Sequence, residues 1–69
     1  MEARDALRIV MRARRKGMTD EQIAGRVYCS TQTFRDWGLK PDTVVSKAIE
    51  AHMRALLEEL RAKKVKGGK

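Results

Sequence analysis

The side chains whose types and spacing could do chemistry lie in the stretch TDEQIAGRVYCSTQTFRDW, from Thr19 to Trp37. At about 100° per residue, Thr31, Gln32, Arg35 and Asp36 share an arc of about 140° on one side of a helix, opposite Phe34 and Trp37. A glutamine amide donates and accepts at once, and an arginine offers a planar fork of donors. These groups can pair bidentately with adenine and guanine edges. The chemistry they offer is recognition, with no bond made or broken.

Catalytic arrangements are missing. Cys29 and His52 are the lone cysteine and histidine, and as a packed thiol and a helix-surface imidazole both are accounted for without a nucleophile–base pair. A single cysteine rules out an intrachain disulfide and fits a reducing compartment. One Cys and one His do not make a zinc site, and no glycine-rich phosphate loop occurs. No catalytic residue, metal ligand, cofactor or small-molecule substrate is therefore expected, and the chain is read as a non-enzyme. Phe34 and Trp37 could in principle stack on single-stranded bases. In a chain with one Phe, one Trp and one Tyr they are needed for the core.

Composition narrows the partner. The 69 residues suffice for one small domain, and 16 Lys+Arg against 9 Asp+Glu give a net charge of +7. That balance favours a polyanion, nucleic acid before membrane. No apolar run approaches the ~20 residues of a spanning helix. The N-terminal MEARDALRIVMRARRKG lacks the apolar stretch and cleavage site of a signal peptide, and Glu2 and Asp5 are out of place in a transit peptide. A cytoplasmic protein is expected.

The elements that must position the recognition face are all helices, because β-branched residues never alternate over a useful length. A first helix is expected from Ala3 to Lys16, stopped by Gly17, with Ala3, Ala6, Leu7, Val10 and Ala13 inward. Arg4, Arg8, Arg12 and Arg15 fall within an arc of about 80° on another side. They suit either a solvated face or a positive surface lying along phosphates. Arg14, at the edge of the apolar face, is expected to snorkel outward. Thr19 opens a second helix with the capping box TDEQ, and Ile23, Ala24 and Val27 face inward. Ser30 is a second N-cap, and a third helix should run from Thr31 to about Trp37 with Gly38 as its C-terminal cap. A fourth, capped by Asp42 after Pro41, should reach about Lys63. The fold class is all-α: a compact four-helix domain with a central helix-turn-helix and a long C-terminal helix, spanning residues 1–63. Residues 64–69 are expected to form a basic disordered tail.

Ile-Ala in the first turns of a short helix, a three-residue turn ending in Ser, and then T-x-T-F-x-x-W-G resemble the helix-turn-helix of the lambda-repressor and Cro-like proteins. WGLKP followed by an amphipathic helix is also similar to that family, and the likeness covers roughly residues 5 to 60. The resemblance implies double-stranded DNA as partner, with the second helix bracing the third in a major groove. It makes Ala24 the small residue at the helix crossing, supported by Ile23, Val27, Cys29 and Phe34. Thr31, Gln32, Arg35 and Asp36 become the base-reading residues. Thr19 and Gln22 become a phosphate clamp through backbone N–H groups. Ser30, Thr33, Lys40, Arg15 and Lys16, with the tail lysines, become backbone contacts. One residue departs from the pattern: Tyr28 stands where the family usually opens the turn with Gly. A left-handed backbone is strained for tyrosine, so a reshaped or lengthened turn is expected.

The functional expectation is a small phage, prophage or plasmid regulator that represses by occupying a promoter, since 69 residues leave no room for an effector domain. GMTDEQIA…STQTFRDW is also similar to the DNA-binding segment of phage terminase small subunits and transposase-like proteins, which suggests a packaging or recombination accessory. An RNA-binding module using the arginine face of the first helix is a third reading. Finally, Val45, Ala48, Ile49, Met53, Leu56, Leu57 and Leu60 make an apolar stripe longer than a three-helix motif can cover. Met53, Leu56, Leu57 and Leu60 are therefore expected to form a homodimer interface. The alternative is that the fourth helix folds back over the first.

Overall fold

Gly17, at φ +95°, ends α1 (Ala3–Arg15) in a Schellman turn: its N–H bonds the Arg14 carbonyl at 3.0 Å and the Met18 N–H bonds that of Ala13 at 3.1 Å. The computed structural model describes residues 1–67, with side chains as far as residue 62. After α1 come α2 (Asp20–Val27), α3 (Thr31–Leu39) and α4 (Lys47–Gly67). The all-α expectation holds, with one helix-turn-helix at the centre of the chain.

α1 and α2 form the middle of the molecule. α3 packs on both from one side and α4 on both from another. Ala3, Ala6 and Ala13 have no exposed surface, and their small side chains let neighbouring helices approach α1 closely. Ile9 and Val10 complete its inner face, while Leu7 is only half-buried.

The first N–H groups of α1 get no side-chain cap from Glu2. They are satisfied instead by the segment between α3 and α4, the Ala3 N–H bonding the Thr43 carbonyl at 2.7 Å and the Arg4 N–H that of Pro41 at 3.1 Å. Val45 N–H returns a bond to the Met1 carbonyl at 2.9 Å, closing a short antiparallel bridge of Glu2 with Val44. Asp42, expected as the cap of α4, pairs with Arg4. α4 starts later, at a cap by Ser46, whose Oγ accepts the Ile49 N–H at 3.3 Å. Gly38 likewise lies inside α3, and Lys40 terminates that helix.

The long apolar stripe of the fourth helix faces the rest of its own chain. Met53, Leu56 and Leu60 are at most 2% exposed within one chain, and Leu57 is half-buried. The residues expected at a dimer interface are thus covered within one chain, where α4 packs over α1 and α2. Pairing two chains through Met53, Leu56 and Leu60 would require α4 to leave its own core, and each buried leucine is worth about 1.5–3 kcal/mol. The fourth helix also continues through the start of the expected tail to Gly67. Residues 68 and 69, and the side chains of Lys63, Lys64 and Lys66, lie outside the described residues.

Candidate nucleic-acid interface

The turn between α2 and α3 decides where the outer face of α3 points. Tyr28 takes the left-handed conformation, φ 59° and ψ 46°, and Cys29 N–H bonds the Ala24 carbonyl at 3.1 Å. The same bond closes α1 at Gly17, so a tyrosine occupies a position that glycine fills elsewhere in the chain. The expected reshaping of the turn does not occur. Ser30 follows in extended conformation and α3 restarts at once. The strain of Tyr28 is offset by packing on both sides of the turn. Ile23 and Val27 are fully buried, Ala24, Phe34 and Trp37 at most 5% exposed, and the Phe34 and Trp37 rings lie 5.6 Å apart.

With Phe34 and Trp37 inward, Thr31, Gln32, Arg35 and Asp36 are exposed together, as their spacing requires. Gln32 Nε2 donates to Asp36 Oδ1 at 3.3 Å, one helical turn away. This orients the amide and leaves its Oε1 and second N–H facing outward. Arg35 makes no ion pair among the described residues.

Thr31, Gln32 and Arg35 line an open groove of about 440 Å³ with Arg14, Asp20 and Glu21. Arg14, Asp20 and Glu21 were not expected there. Arg14 is exposed at the edge of α1, as expected, and its guanidinium grips Asp20 bidentately, at 2.7 and 3.0 Å. The bond from Arg14 holds the Asp20 carboxyl below its ordinary range, and Asp20 in turn raises the guanidinium. That pair pins the end of α1 to the start of α2. The clue in the sequence was an Arg and an Asp bracketing the glycine turn.

Several expected backbone contacts are placed differently. The Thr19 N–H donates to Gln22 Oε1 at 2.9 Å and the Gln22 N–H to Thr19 Oγ1 at 3.2 Å. The capping box is as read, but it already uses the two donors assigned to a phosphate clamp. Ser30 and Thr33 share a hydrogen bond between their hydroxyls at 3.2 Å. Lys16 and Lys40 are exposed at the ends of α1 and α3. Arg15 belongs to a different groove, between α1 and α4. Cys29 is half-buried and its thiol is pushed up by burial, which opposes thiolate formation.

The fold and site define a small all-α helix-turn-helix domain with a polar, partly cationic outer face on its second motif helix. No family model matches the chain, and neither curated proteins nor solved structures include a match to it. Among the described residues no group of three His, Cys, Asp or Glu could hold a metal ion, and no helix is long and apolar enough to cross a membrane.

Proposed function

We propose that this chain is a sequence-specific double-stranded DNA-binding regulator of the Cro-like kind, with α3 as its recognition helix and promoter occupancy as its mechanism. The observation that carries the reading is the exposed pair Gln32 and Arg35 on the outer face of a helix braced by α2 across an unlengthened turn. The net charge of +7 supplies the attraction to phosphate, and cytoplasmic DNA is the matching partner. Selection of bound duplexes from a random pool tests it. A preferred site, bound with steep salt dependence, supports the reading, and preferential competition by structured RNA overturns it.

A second reading, a DNA-binding accessory of phage packaging or recombination, gains from the burial of Met53, Leu56 and Leu60. With that stripe covered within one chain, a dimer spanning a palindrome would have to pair through another surface. A selected site without dyad symmetry favours the accessory, and a palindrome near the protein's own gene favours the regulator.

A further inference from the structure

Two groups stand out among the nine arginines of this chain. Arg4, Arg14, Arg26 and Arg54 each pair with a carboxylate: Asp42, Asp20, Glu59 and Glu50 respectively. Arg8, Arg12 and Arg15 make no ion pair among the described residues, although they follow one another along α1 and repel at i,i+4 spacing. These three border one open groove of about 550 Å³ between α1 and α4, whose apolar part is Met1, Ile9, Met11 and Leu57. Met11 is 50% exposed there.

We propose that this groove docks an acidic amphipathic helix of a partner protein. The occupant must satisfy both halves of the lining. A phosphate backbone would answer the arginines but leave Met11 and Leu57 against a charged, hydrated chain. An apolar segment alone would bury guanidinium groups without counter-charge. Arg8, Arg12 and Arg15 stand at i, i+4 and i+7, a row of about 10 Å. A helix with carboxylates at the same spacing meets all three while its apolar stripe lies on exposed Met11 and half-buried Leu57. Asp5 also borders the groove and orients the occupant, because an acidic side chain is excluded beside it. The surface is separate from the groove of α3, which is lined by Arg14 in place of Arg15. The proposal therefore does not depend on whether α3 binds DNA.

The test uses a peptide of about 16 residues, long enough to be helical, with Glu at i, i+4 and i+7 beside a leucine stripe. Two counterparts carry Gln or Lys in place of those Glu residues. Calorimetry measures affinity, and NMR follows the methyl groups of Ile9, Met11 and Leu57. The Glu peptide is expected to bind, to shift those methyls, and to outbind the Gln peptide by about tenfold or more. Arg8→Glu, Arg12→Glu and Arg15→Glu together should exchange Glu-peptide binding for Lys-peptide binding, with unchanged circular dichroism because all three side chains are exposed. Should that variant fold poorly, the triple change to Gln must abolish the preference for Glu over Gln peptide. No binding of the Glu peptide, equal binding by the reversed chain, or shifts confined to Thr31–Asp36 overturns the proposal. So does random duplex DNA that shifts the same methyls and displaces the peptide, because the arginine row then lies along phosphates.

Discussion

The Tyr28 and His52 rings meet with 4.6 Å between centroids and 56° between planes, which fastens the left-handed residue of the turn to α4. The left-handed backbone costs a tyrosine about 1–2 kcal/mol, and an aromatic contact returns about 0.5–1.5 kcal/mol. Two comparisons separate these effects. Tyr28→Ala and Tyr28→Gly both lose the ring, but only glycine is at ease with φ 59°. Chemical denaturation should find the alanine variant less stable than the glycine variant by about 1 kcal/mol. His52→Ala should be destabilising beside Tyr28 and nearly neutral beside Gly at that position. Equal costs in both backgrounds would mean that the ring contact carries no energy.

Leu56 and Leu60, expected at a contact between two chains, are buried within one. Leu56→Glu puts an unpaired carboxylate into that core, and the chain should lose its cooperative thermal transition. Trp37→Ala, on the other side of α1, should cost about 3–5 kcal/mol. A folded Leu56→Glu variant with a monomer–dimer change in sedimentation would restore the intermolecular role for this stripe.

The contrast between these residues explains how far the sequence could be read. The inward faces of α2 and α3 were legible, since Ile23, Val27, Phe34 and Trp37 repeat at helical spacing and the capping box marks where α2 begins. The direction of α4 was not. An apolar stripe says that a face is covered and does not say by which chain, and only the matching need of α1 decides it. The start of α4 was misplaced because Asp42 and Ser46 are both plausible caps, and a long-range pair with Arg4 removes Asp42 from the choice. The left-handed Tyr28 was not legible, because local strain argues against it and the packing on either side of the turn has no local signature. At the candidate interface, the exposed row on α3 was legible from periodicity alone. Arg14 and Glu21 joined it through the fold-back of α1 on α2, which no local pattern records.

Acid should loosen the molecule at two places. Asp20 is held below its ordinary range by the bond from Arg14, and Glu50 by the N-terminal ammonium and then Arg54. A carboxylate with a depressed folded value stabilises above its unfolded range of about pH 4, and that contribution disappears as pH falls through the folded value. The thermal midpoint should therefore drop on acidification below about pH 4.5. Asp20→Asn and Glu50→Gln should each start lower near neutrality and fall less. Parallel curves for all three proteins would show that neither pair contributes.

The recognition face gives the most specific expectation, and its parts differ in sign. Gln32→Ala and Arg35→Ala should each lose about 1–3 kcal/mol on the preferred duplex and relax preference at one base position. Both side chains are exposed opposite Phe34 and Trp37, so stability should be unchanged. Asp36 acts in two ways. Its carboxylate accepts the Gln32 amide and orients it, but with α3 in a major groove as proposed it would also set a negative charge close to phosphates. Asp36→Ala should therefore raise affinity for random duplex and lower discrimination at the base that Gln32 reads. Anisotropy titrations with matched, single-mismatch and random duplexes at several salt concentrations measure both quantities. If Asp36→Ala weakened random and matched duplexes alike, the carboxylate would not be shaping Gln32 and the orientation of α3 on DNA would need to be reversed.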